Sequence, residues 1–162
     1  MQSTDAERGH RTGNAWIGKS RLRAAVLVDV DGTLVGPYRD GIRELRQSAV
    51  AAISLLSSQA PVFLWSVAGA ANGDRLIDEF PALAPLVAGC WAKDEFPLHL
   101  VDCAWAIDDD GIDEAVLRCN HVILGESYEG GHDSDLLLEA ARAVVDALRA
   151  WPGPRAARPP LT

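Results

Sequence analysis

Two aspartates one residue apart, Asp29 and Asp31, follow the apolar run Val26-Leu27-Val28, and Gly32-Thr33 comes directly after them. The run is β-branched and apolar, the pattern of a strand buried on both faces. Carboxylates at the end of such a strand are costly to desolvate unless they bind a cation or pair with another charge. Gly32 lets the chain turn at once, leaving both acids at the strand's carboxyl end, where open α/β sheets bind their ligands. Strand alternation points Asp29 and Asp31 the same way unless the turn at Gly32 redirects Asp31. Asp-Gly alone is ordinary turn chemistry. The setting after a hydrophobic strand is what marks the pair out.

Three later positions have the chemistry to complete a site. Ser66 ends the apolar run Val62-Phe63-Leu64-Trp65, and Lys93 follows the short stretch Cys90–Ala92. The only other lysine is Lys19. Asp108-Asp109-Asp110, with Asp113 close behind, follow Ala104-Trp105-Ala106-Ile107. Successive carboxylates repel one another unless a cation or a lysine lies near. A carboxylate is able to accept a phosphoryl group, and a protonatable neighbour can act as acid and then as base. His10, His99, His121 and His132 are scattered, which turns the reading away from transition-metal chemistry.

The elements that must position these residues follow from periodicity. Strands are expected at about 24–28, 61–65, 90–92, 98–107 and 121–124. Helical spacing of Leu45, Val50, Ile53 and Leu56 predicts a helix over 43–58. A second runs from 70 or 72 to 80, stopped by Pro81, and 82–89 reads as an apolar linker. Asp110 reads as exposed or as the cap of a helix over 111–118, and Asp133 or Ser134 as the cap of a last helix that buries Leu137, Ala141 and Val144. Tyr128 and His132 fall in what reads as an ordinary surface loop. Strands alternating with helices make the fold class α/β, with a parallel sheet of about five strands.

The chain has 162 residues, 48% apolar and 23% charged, which suits one globular domain over 23–151. Residues 1–22 read as a flexible N-terminal tail and 152–162 as a Pro/Arg-rich C-terminal tail. The net charge of −8 conceals basic ends on a body of about −13. An acidic body disfavours tight nonspecific nucleic-acid binding. No apolar run spans a membrane, the N-terminus lacks the hydrophobic centre of a signal peptide, and Cys90, Cys103 and Cys119 are widely spaced. The expectation is a cytoplasmic protein with reduced cysteines.

The segment 26–35, Val-Leu-Val-Asp-Val-Asp-Gly-Thr-Leu-Val, closely resembles the first motif of the haloacid dehalogenase (HAD) superfamily. The resemblance covers about residues 24–125. It implies a Rossmann-like three-layer sandwich with strand order 5-4-1-2-3 and a Mg2+-dependent phosphohydrolase working through an aspartyl-phosphate. Carried over position by position, Asp29 is the nucleophile and Asp31 the general acid/base. Ser66 hydrogen-bonds a phosphoryl oxygen and Lys93 offsets charge, with Thr33, Ser66 and Lys93 binding substrate. Asp29, the backbone carbonyl of Asp31, and Asp109 hold Mg2+, supported by Asp108, which orients Lys93 or a bound water, or by Asp113. Only about 32 residues separate Thr33 from Ser66, so no cap domain fits and a small flap is the most that can form. Capless relatives act on large phosphorylated substrates or assemble as homo-oligomers in which a neighbouring subunit serves as lid. Two rivals are a non-catalytic phospho-ligand module, such as a receiver domain, and a phosphotransferase. The order of acceptor and lysine disfavours the first, and the missing cap disfavours the second.

Overall fold

The structure is a computed structural model that describes residues 21–111 and 113–154. The expected N-terminal tail up to residue 20 and the C-terminal tail from residue 155 lie outside the described residues. Five apolar segments form β1 (Leu22–Asp29), β2 (Val62–Ser66), β3 (Gly89–Ala92), β4 (Val101–Asp108) and β5 (Asn120–Ile123). Between and after them lie α1 (Ala49–Ser57), α2 (Ala70–Glu79), α3 (Glu114–Leu117) and α4 (Leu136–Ala150). All four strand pairings are parallel, in the order β3-β2-β1-β4-β5. Read from the opposite edge the order is 5-4-1-2-3. Every strand therefore ends at the same edge of the sheet, and β1 is central.

Alternation along β1 and β2 divides the core in two. Val26, Val28 and Leu64 join Ile53, Leu56, Leu76, Leu137 and Val144 on the face covered by α1, α2 and α4. Ala25, Leu27, Phe63 and Trp65 join Phe96, Val101 and Val116 on the other. A parallel sheet needs both faces covered, and here the covers are unequal. The second face is closed by the four-residue α3, the 3-10 turn Leu98–Leu100 and the tilted and edge-on rings of Phe63, Phe96 and Trp91 rather than by long helices.

Several expected boundaries move, each for a local reason. The helix expected over 43–58 begins only at Ala49. Residues 43–48 are held another way: Leu45 bridges to Val35, the Arg46 N–H donates to the Leu34 carbonyl, and the Ser48 N–H donates to Asp133. The strand expected over 98–107 yields its first turn to the 3-10 segment. Asp113, not Asp110, caps α3 by accepting from the Ala115 N–H at 3.2 Å. Asp110 is exposed. Neither Asp133 nor Ser134 caps α4, which follows Asp135 in a left-handed conformation. Between β1 and α1 the described residues hold only turns and isolated bridges, including a hairpin tip at Asp40 and Gly41 with φ of 53° and 79°. Paired positive φ values at an Asp-Gly step are the type I′ hairpin geometry. Among the described residues, no helix is long and apolar enough to cross a membrane.

Candidate functional site

Parallel register decides which side chains meet. Asp29 lies opposite Trp65 at the end of β2, Ser66 opposite Ala92, and Val28 opposite Ile107, the residue before Asp108. The Lys93 N–H donates to the Ser66 carbonyl at 3.1 Å, extending the β2–β3 pairing by one residue. Asp29, Ser66, Lys93 and Asp108 thus sit side by side, buried, at the carboxyl edge of four neighbouring strands.

Lys93 meets three carboxylates: Asp108 at 2.6 Å, Asp29 at 3.0 Å and Asp113 at 3.3 Å. An ammonium has three donors, and here it faces three carboxylates. Its Nζ also lies 5.7 Å from the Trp65 ring centre. Burial alone would lower the Lys93 pKa, but Asp29 and Asp108 more than reverse this and hold it above its ordinary value. Burial, with Asp108 beside it, pushes the Asp29 carboxyl up to about 7 against the pull of Lys93. Burial likewise raises Asp108, with Lys93 opposing.

Asp29, Asp108 and Asp109 each bring one carboxylate oxygen to within 4.8 Å of the others. This trio consists of hard oxygen donors only, a set that fits a hard divalent cation. One ammonium cannot neutralise it together with Asp113, so a cation would relieve the remaining repulsion. Asp108 already accepts from Lys93 and, through its other oxygen, from the Asp110 N–H at 3.0 Å. Gly32 is what lets Asp109 approach. Its φ is +78°, and a Cβ there would lie 2.2 Å from the Asp109 Oδ2 and from the Ser127 Oγ. Only glycine satisfies both the turn and the contact.

The turn redirects Asp31. Its side chain is absent from the carboxylate trio and is 58% exposed at the cleft, with Oδ2 accepting from Asn72 Nδ2 at 2.6 Å and Oδ1 lying 3.6 Å from Arg43 Nη1. The metal role expected of Asp31 concerned its backbone carbonyl and not this carboxylate. Thr33 does not line the cleft. It is wholly buried, because the tight turn that bonds the Leu34 and Val35 N–H groups to the Val30 carbonyl tucks it inward. The expected substrate contact at Thr33 is therefore corrected to an interior position. Asp113 is shared between capping α3 and pairing Lys93.

These groups surround an open cleft of about 630 Å3 lined by Asp29, Asp31, Ser66, Lys93, Asp108 and Asp109, among others. A hollow of about 750 Å3 floored by Phe96 and Leu98 shares Val67, Lys93 and Asp113 with it.

Sequence reasoning missed the supports. Arg43 is buried and donates to Glu79 at 2.9 Å and to Asn72 Oδ1 at 3.2 Å. Arg46 is buried behind the Gly32 turn, where its Nη2 reaches the Gly32 carbonyl at 3.4 Å and its Nη1 lies 3.5 Å from Asp133. Burial acts to raise the Asp133 pKa, but hydrogen bonds from Ser48 and the Asp135 N–H, with Arg46 nearby, hold it below the ordinary carboxylate range. Tyr128, read as part of a surface loop, is buried. Its N–H donates to the Gly32 carbonyl at 2.6 Å, and its ring lies under Arg46. His132 is exposed, as a surface loop requires. The available signal was two arginines three residues apart beside apolar neighbours, which marks buried guanidinium groups only once their partners are known. No protein-family model matches this sequence, and no curated protein matches it.

Proposed function

We propose that this chain is a capless phosphatase of the haloacid dehalogenase type, hydrolysing phosphomonoesters with Mg2+ through an aspartyl-phosphate on Asp29. The observation that carries this reading is the convergence of Asp29, Asp31, Ser66, Lys93 and the Asp29–Asp108–Asp109 trio on one open cleft. Asp29 and Asp109, with Asp108 beside them, are the side chains that would hold the cation. When bound, Mg2+ supplies positive charge against the phosphoryl oxygens and the attacking carboxylate.

The chain's own residues account for the proton and bond changes. An ionised Asp29 oxygen attacks phosphorus as the bond from phosphorus to the leaving oxygen breaks, and Asp31 gives its proton to that oxygen. Asp31, now a carboxylate, takes a proton from water as the water oxygen attacks the phosphoryl group, releasing phosphate and regenerating Asp29. Lys93 and the Ser66 hydroxyl steady the phosphoryl oxygens throughout. Asp31 at the cleft favours an enzyme over a module that only binds phosphorylated ligands, which needs no acid/base group. The absence of a cap among the described residues leaves the cleft open to substrates larger than a free metabolite.

The test is hydrolysis of 4-nitrophenyl phosphate with and without Mg2+, comparing the wild type with Asp29→Asn. Mg2+-dependent turnover that disappears in the variant supports the reading. Turnover that survives the substitution contradicts it.

A further inference from the structure

Asn72, in the first turn of α2, is buried and makes three hydrogen bonds with one amide. Its Nδ2 donates to Asp31 Oδ2 at 2.6 Å and to Ser66 Oγ at 3.1 Å, while its Oδ1 accepts from Arg43 Nη1 at 3.2 Å. These partners fix the amide's orientation. Turned over, its carbonyl would face a carboxylate oxygen and its NH2 group would face a guanidinium. Arg43 is itself held, by Glu79 through Nε at 2.9 Å and by the Tyr38 ring 4.9 Å away.

The consequence for Ser66 follows from counting lone pairs. Its Oγ accepts from Asn72 and also from the Ala68 N–H at 3.0 Å. A hydroxyl has two acceptor lone pairs and one proton. Both lone pairs are used, so what Ser66 has left to offer the cleft is its proton. On Asp31 the same Asn72 N–H holds Oδ2, while Arg43 Nη1 lies 3.6 Å from Oδ1, so the carboxylate is held from both sides.

We propose that Asn72 is a positioning residue. One buried amide holds the Asp31 carboxylate in place at the cleft and turns the Ser66 hydroxyl into an obligate donor toward a phosphoryl oxygen. The proposal rests on the phosphatase reading above and goes beyond it by naming a residue outside the resemblance.

The test has two arms, using the near-isosteric, neutral Asn72→Leu, with Asn72→Ala as the second variant if leucine does not fold. The first is a double-mutant cycle with Ser66→Ala, read as Mg2+-dependent orthovanadate binding by calorimetry. Asn72→Leu is expected to weaken vanadate about tenfold in the wild-type background, as for one hydrogen bond to a charged group. It should have almost no effect once Ser66 is alanine. The second arm compares turnover of an alkyl phosphate with that of 4-nitrophenyl phosphate. Loss of directed proton delivery should cost the alkyl ester about 100-fold in kcat and the nitrophenyl ester, whose leaving group needs little protonation, far less. Additive losses in the cycle, or equal falls on both esters, overturn the proposal and leave the phosphatase reading standing. A wild type that neither binds vanadate nor hydrolyses either ester overturns that reading, and the proposal with it.

Discussion

On one side of the Gly32 turn, Asp29, Asp108 and Asp113 crowd around the single ammonium of Lys93, with Asp109 beside Asp29 and Asp108. On the other, the guanidinium groups of Arg43 and Arg46 are buried against a carbonyl, an amide and the carboxylates of Glu79 and Asp133. The first region has too many acceptors. The second has donors to spare, since Arg43 Nη2 and Arg46 Nε have no hydrogen-bond partner among the described residues. An acceptor excess at the mouth of a cleft can be relieved by a cation from solvent. A donor excess sealed behind a turn can be relieved only by the protein itself. The contrast separates a region with an unmet demand for positive charge from one whose charges are met within the fold.

Substitutions on the two sides should therefore fail differently. Asp29→Asn should reduce Mg2+-dependent hydrolysis by a factor on the order of 10^6, the scale of losing a covalent nucleophile. Its melting temperature without Mg2+ at pH 8 should equal or exceed that of the wild type, because a buried charge in an acidic cluster has been removed. Arg46→Ala should do the reverse. It leaves Asp133 buried without its cation and should cost about 3 kcal/mol of stability, measured by urea unfolding, with no dependence on Mg2+.

Proton linkage gives a smaller and more diagnostic effect. Asp29 is raised from 3.8 to about 7 in the cation-free protein. A raised carboxyl contributes stability that is present below the unfolded value, near 4, and is lost as pH rises through 7. The cation needs the ionised form, so binding must expel that proton below pH 7. Apparent Mg2+ affinity is expected to rise about tenfold per pH unit from 5 toward 7 and then level off, measured by calorimetry in buffers of different ionisation enthalpy. Smallest of all, Glu114→Gln breaks an exposed pair with Arg118 and should change stability by less than about 0.5 kcal/mol. A large effect there would mean that the thin cover on the second sheet face matters more than its exposure suggests.

The sheet and the strand-end residues were legible because both are written locally. Short apolar runs ending in Asp29, Ser66 and Asp108 place those side chains at one edge of any parallel sheet. The supporting network was not legible, because its bonds join residues far apart in the chain. Asn72 is 41 positions from Asp31, and Ser48 is 85 from Asp133. Periodicity around Leu45 and Val50 suggested a helix beginning near Arg43. Burial of Arg43 against Glu79 and Asn72, and of Arg46 behind the Gly32 turn, holds that segment in extended contacts instead, a tertiary demand that no local spacing carries. Thr33 shows the same limit. Its place in the motif suggested a ligand contact, and the tightness of the turn sends it into the interior.

On the proposed function, Asp29 accepts a phosphoryl group in a site completed by a divalent cation. The most direct test is fluorine NMR of the protein with Mg2+ and beryllofluoride, which forms a stable mimic of an aspartyl-phosphate. Bound beryllofluoride resonances are expected in the wild type, vanishing with EDTA and absent in Asp29→Asn. A folded wild type that shows no bound resonances, or a variant that keeps them, would contradict this reading.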